Sequence, residues 1–240
     1  MITIFGVCCV LVAAFAAFAS FPDRFPDGDI LMQKLRGRAT VSDRVVQFGP
    51  TSRARWEPLF KQKTVDYPPQ KLVLVGLKRE KQLQIYAADS SGAFQWIRTF
   101  PILGLSGKLG PKLRFGDLQV PEGLYRIESL NPNSAFHLSL RVNYPNEFDR
   151  AQAEKEGRTE LGSDIMIHGS NASIGCLAMG DEGAEDLFVL ASDVGLENIK
   201  VILSPLDFRT EKAPKDEKRP AWVDGLYTEI AAELRKLPSP

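Results

Sequence analysis

The chain has 240 residues, 44% of them hydrophobic and 25% charged, a composition that builds one compact domain with a core and excludes a disordered polypeptide. Thirty basic side chains balance thirty acidic ones, so no net field draws the protein onto nucleic acid or an anionic membrane surface. From Met1 to Ala19 no side chain is charged, and Ala17-Phe18-Ala19 supplies the small-x-small pattern of a signal peptidase site. Residues 1–19 therefore read as an export signal. The alternative is an uncleaved anchor that contacts the membrane, since a spanning helix needs roughly 17 to 25 residues. Either outcome places the remainder in the periplasm or cell envelope.

Residues 20–70 form a polar, helical and irregular segment, with a helix expected around Arg53 to Phe60 that stops before Pro68-Pro69. Residues 71–209 hold runs rich in Val, Ile, Tyr, Phe and Trp. They predict strands over Lys71 to Leu77, Gln82 to Ala87, Phe94 to Pro101, Gly123 to Glu128, Ala135 to Val142, Asp164 to His168 and Ile199 to Leu203. Short strands at this density predict a mainly β domain with flanking helices and a sandwich or barrel-like core. A helix carries Ala184, Leu187, Phe188, Ala191 and Val194 on one stripe, opened by Asp181 and closed by Gly195. Residues 210–240 comprise a charged linker, Glu211 to Arg219, and a helix from about Ala221 to Leu237 that packs back onto the domain.

Cys8 and Cys9 lie in the apolar N-terminal run, so export with cleavage leaves Cys176 as the lone thiol. Such a cysteine is either a small buried hydrophobe or a working nucleophile. His168 stands eight positions before it, at the end of an expected strand, with the glycine-containing segment Gly169 to Gly175 between them. Gly175 can make a sharp bend at little steric cost, bringing thiol and imidazole together. A hydrogen-bonded imidazole then removes the thiol proton or holds a thiolate–imidazolium pair. The N–H groups of Gly175 and Cys176 are candidates for an oxyanion hole. With His137 and His168 as the chain's only histidines, a closed zinc site is not expected.

Ile167-His168-Gly169 followed by Ser173-Ile174-Gly175-Cys176 resembles the active-site signature of the YkuD-like L,D-transpeptidases, most closely their YafK-like branch. Ser106-Gly107, Gly110-Pro111-Lys112, Gly116-Asp117, Pro121-Glu122-Gly123 and Tyr144-Pro145-Asn146 echo that branch upstream, and Ala178-Met179-Gly180-Asp181 and Ser204-Pro205-Leu206-Asp207 continue it. The resemblance implies an L,D-transpeptidase-type β-sandwich. It also implies an enzyme in which Cys176 attacks a peptidoglycan tetrapeptide stem to form a thioester, with His168 as base and the Gly169 carbonyl orienting the imidazole. No cofactor is implied, and a monomer is expected.

One departure stands out: Ile174 occupies the position where most members carry a second histidine. It leaves transpeptidation, hydrolytic release of wall-attached chains, and an inactive wall-binding module as competing outcomes. Ser173, Tyr144, Asn146 and His137 are candidate substrate contacts. For His137 a structural bond to a neighbouring strand is the favoured alternative, and for Tyr144 and Asn146 a plain turn is an equal one. Lys112, Asp117 and Glu122 either meet the charged ends of the stem or are solvated turn residues.

Overall fold

The computed structural model describes residues 37–212, 216 and 219–240, and Val41–Pro240 forms a compact unit. The expected export segment lies outside the described residues, as does part of the charged linker. Among the described residues, no helix is long and apolar enough to cross a membrane.

The sheet-rich architecture expected from the strand density is present. Strands β1 (Leu72–Leu77), β2 (Gln82–Ala88), β3 (Phe94–Pro101), β4 (Gly104–Leu105), β5 (Gly123–Ser134), β6 (His137–Val142), β7 (Met166–His168), β8 (Leu177–Ala178) and β9 (Ile199–Ser204) are ordered β3-β2-β1-β9-β5-β6-β7-β8-β4. The long strand β5 joins two halves, because Gly123 to Arg126 pair with β9 whereas Ile127 onward pairs with β6. Side chains from both halves, including Leu72, Leu74, Leu138, Leu140 and Ile167, meet in one core.

Alternate residues of β1 belong to different cores. Leu72 and Leu74 face the shared core, while Val73, Val75 and Leu77 face a second cluster closed by helix α4 (Val223–Leu234) through Val223, Leu226, Ile230 and Leu234. Both faces of β1 are covered, which is why the run Leu-Val-Leu-Val-Gly-Leu is continuously apolar instead of alternating.

Helix α1 (Val41–Gln62) is much longer than the stretch expected from sequence, and it runs through Pro50 and Pro58. Both prolines lie on its exposed side, where water can solvate the carbonyls that lose a partner. Its buried stripe, Gly49, Ser52, Trp56 and Phe60, is latched to helix α3 (Asp181–Val194). Arg55 forks onto the fully buried Asp186 at 2.6 and 2.9 Å, Trp56 Nε1 donates to the Asp186 carbonyl at 3.0 Å, and Arg53 pairs with Asp193 at 2.7 Å. Tertiary bonding of this kind overrides a proline signal read locally. Helix α2 (Glu147–Lys155) was not anticipated; Asn146 and Asp149 close a reciprocal capping box at its start.

The segment from Ser106 to Glu122 flanks the candidate site, and three of its charged residues, Lys112, Asp117 and Glu122, are tied into internal ion pairs and hydrogen bonds instead of standing as solvated turn residues. Lys112 is buried and pairs with Asp117 at 2.5 Å, while the other Asp117 oxygen accepts the Leu113 and Arg114 N–H groups. Glu122, also buried, accepts from Lys78 Nζ at 2.8 Å, from the Gly110 N–H at 2.7 Å and from the Tyr227 hydroxyl of α4 at 2.5 Å. The Gly110 and Val120 carbonyls take the remaining Lys78 protons, both at 2.9 Å. Nothing in the sequence pattern linked Lys78 to Glu122. Lys78→Met strands a buried carboxylate, so it is expected to cost about 3 to 5 kcal/mol in a urea unfolding experiment. A loss within the ~0 to 1 kcal/mol typical of surface pairs would show that the cluster does not hold the segment down.

Candidate active site

His168 ends β7 and Cys176 immediately precedes β8. The two strands pair in parallel, Ile167 with Leu177 and His168 with Ala178, so Cys176 stands beside Met166. Met166 and His168 share a face of β7. Thiol and imidazole are therefore diagonal neighbours across adjacent strands, with Cα atoms about 8 Å apart from a strand spacing of ~4.8 Å and a rise of ~3.3 Å per residue.

The imidazole is rigidly held. His168 is buried, with the Phe136 ring against it at a centroid distance of 4.7 Å. Its Nδ1–H donates to the Gly169 carbonyl at 2.6 Å, which fixes the tautomer and leaves Nε2 as the proton acceptor. Gly169 sits where a larger residue cannot: a Cβ there would come within 2.6 Å of Asp181 Oδ1 and 2.8 Å of the Phe136 carbonyl. Asp181, first residue of α3, also accepts the Ser170 N–H at 2.8 Å. Besides opening the helix, Asp181 therefore pins the turn that carries the Gly169 carbonyl.

The thiol's partners in this structure lie on the β7 side. Cys176 Sγ contacts the Asp164 carbonyl, to which S–H donates, and the Met166 N–H, which donates to sulfur, both at 3.4 Å. His168 is not its hydrogen-bond partner, so proton transfer requires the thiol to turn from the Asp164 carbonyl toward Nε2. Burial pushes the Cys176 pKa up, assisted by the Asp164 carboxylate, and burial pushes the His168 pKa down against the Gly169 bond. Both shifts favour neutral partners. Of the two modes open from sequence, general-base removal of the thiol proton is the one these environments support. The raised pKa lowers the thiolate fraction at any given pH. Alkylation of Cys176 by iodoacetamide is accordingly expected to rise with pH, with a midpoint above the ~8.5 of a free thiol. A midpoint near neutrality would indicate a standing ion pair instead.

The two N–H groups nominated for an oxyanion hole are occupied by serine oxygens here. Gly175 N–H donates to Ser106 Oγ at 2.6 Å and Cys176 N–H to Ser173 Oγ at 2.9 Å, while the Ser173 hydroxyl donates to the Cys176 carbonyl at 2.6 Å. Ser173 thus lies at the site as a brace of the cysteine's own peptide groups. Ile174 projects outward at 78% exposure.

The other candidate contacts are engaged elsewhere. Tyr144 is buried, and its hydroxyl donates to the Leu161 carbonyl at 3.2 Å. Asn146 caps α2 and donates to the Leu124 carbonyl at 2.9 Å. These bonds give both residues structural duties, Tyr144 in the core and Asn146 at the start of α2. His137 bonds Glu185 of α3 at 2.9 Å, not a neighbouring strand; it sits at the β5–β6 turn with φ 70°. Left-handed backbone at Leu118, Asp164 and Ser170 surrounds the cysteine loop, and strained non-glycine residues gather at functional sites more than elsewhere.

A cysteine and an oriented imidazole thus stand side by side on adjacent strands. Residues 64–202 match the family model YkuD, L,D-transpeptidase catalytic domain, and the chain belongs to that family. It is 32% identical over 133 residues to YafK of Escherichia coli (strain K12), covering 53% of this chain and 51% of that protein. The chain thus spans about half the length of the curated relatives it matches. Among solved structures it is similar to the helical cell shape determining protein Pgp2 from Campylobacter jejuni, at TM-score 0.44 and 22% identity over 68% of this chain and 57% of that one. It is also similar to L,D-transpeptidase 1 of Mycobacterium tuberculosis, at TM-score 0.32 and 16% identity over 56% and 62% of the respective chains.

Proposed function

We propose that this protein is an exported, envelope-located cysteine acyltransferase acting on peptidoglycan stem peptides. The observation that carries the reading is the 2.6 Å bond from His168 Nδ1–H to the Gly169 carbonyl, which presents Nε2 as a base on the strand beside Cys176. In the reaction, His168 Nε2 takes the thiol proton as Cys176 Sγ bonds to the carbonyl carbon of the third stem residue. The tetrahedral intermediate collapses by breaking the bond to the terminal D-Ala nitrogen, which leaves with the proton from His168, and the stem stays on sulfur as a thioester. Attack by an amine completes transpeptidation, whereas attack by water completes hydrolysis.

Hydrolytic release of wall-attached peptide or protein is the second reading, favoured by Ile174: it places an exposed apolar side chain, not an imidazole, directly before the Gly175-Cys176 pair. Incubation of the full chain with disaccharide tetrapeptide, with products resolved by mass, separates the possibilities. Cross-linked dimers lacking one D-Ala support transfer, and monomeric tripeptides support hydrolysis. Binding to isolated sacculi with no product, unaltered by Cys176→Ala, would sink the enzymatic reading in favour of a binding module.

A further inference from the structure

Ser106 follows β4, whose Gly104 and Leu105 pair with Ala178 and Leu177 of β8. Continuing that antiparallel register sets Ser106 across from Cys176. Its hydroxyl is shared between two segments: Oγ accepts the Gly175 N–H at 2.6 Å and donates to the Leu118 carbonyl at 2.8 Å. Both ends of this bridge have left-handed backbone, Gly175 at φ 97° and Leu118 at φ 58°. Glycine takes that conformation freely, but leucine does not. Leu118 is half exposed, so packing alone does not hold it there. It is held by bonds around it, since Asp117 Oδ1 accepts the Gln119 N–H at 3.1 Å and Gln119 Oε1 accepts the Lys108 N–H. The segment from Ser106 to Gln119 closes on itself beside the bend that aims Cys176.

We propose that Ser106 is a positioning residue for acyl transfer: its hydroxyl locks the Gly175 peptide plane to the Leu118 turn and so sets the direction in which Cys176 meets the stem carbonyl. This rests on the acyltransferase reading. Because β4 pairing fixes the Ser106 backbone, the hydroxyl acts from a stationary point. Acylation, which demands an aligned carbonyl and a place for its developing oxyanion, depends on that alignment. Alkylation by a small reagent does not.

The test compares full-length wild type, Ser106→Ala and Ser106→Thr in two reactions of Cys176, acylation by a carbapenem and alkylation by iodoacetamide, with saturation kinetics separating binding from the chemical step. Ser106→Ala is expected to slow the chemical step of acylation about 10- to 100-fold, the scale of a small misplacement, with apparent binding and alkylation unchanged. Ser106→Thr, which keeps a hydroxyl, is expected to restore the rate. Unchanged acylation in Ser106→Ala would overturn the proposal, as would an equal loss of alkylation, the mark of a generally disrupted site. Faster acylation would overturn it too, because the hydroxyl would then be a plug competing with the oxyanion for the Gly175 N–H. A wild-type chain that takes no acyl group, though alkylated normally, would instead remove the acyltransferase reading and this proposal with it.

Discussion

Cys176→Ala is expected to abolish the covalent adduct with a carbapenem and, on the proposed acyltransferase function, all turnover of tetrapeptide stems. The reaction needs a sulfur that can carry the acyl group, and Cys176 is the free cysteine among the described residues. The substitution removes only two long contacts, to the Asp164 carbonyl and from the Met166 N–H, both at 3.4 Å. The fold, measured by its unfolding midpoint, should therefore stay close to wild type. Intact mass after incubation with the carbapenem reads the result directly. An adduct persisting in Cys176→Ala would place the acyl group elsewhere and remove this cysteine from the mechanism.

His168→Ala is expected to slow acylation by ~10² to 10⁴, the range of a positioned general base. A thiol is mostly protonated at neutral pH and burial pushes the Cys176 pKa further up, so without the imidazole few sulfurs are ionised and no acceptor waits for the proton. The same substitution opens space beneath Phe136, whose ring rests on His168, and some stability is lost with that packing. Iodoacetamide alkylation well above the thiol pKa separates the two effects, because there hydroxide, not the imidazole, ionises sulfur. Alkylation at high pH should be retained while acylation at neutral pH falls. Equal acylation kinetics in variant and wild type would exclude His168 as the base.

Much of the site is legible in one dimension because it is local. His168, Gly169, Ser173, Gly175 and Cys176 lie within nine consecutive residues, and a strand, a bend and a second strand can bring them together without help from the rest of the chain. The core strands were legible for a related reason: β-branched and aromatic runs bounded by turn residues mark sheet wherever it lies, and β1, β2, β3 and β9 fall where those runs do. Strands β4 and β8, two residues each, carry no such signal and exist only through their pairing with each other and with β7. Tyr144 and Asn146 read equally as a cleft rim or a plain turn, because a polar turn motif looks the same whether it rims a cleft or caps a helix.

By itself the sequence determined the residue types and the short-range order of the chemistry: a thiol, an imidazole and glycines where the backbone must bend, in a chain patterned for sheet. Tertiary structure decided the rest. It engaged the Cys176 and Gly175 N–H groups with Ser173 and with Ser106, the latter 69 positions away in the chain. It drew Lys78 onto Glu122, 44 positions on, and carried α1 through two prolines by latching it to α3. The physical reason is that periodicity and turn chemistry act between residues a few bonds apart. A hydrogen bond between distant segments exists only once the intervening chain has folded, and no local pattern encodes which distant partner it will find.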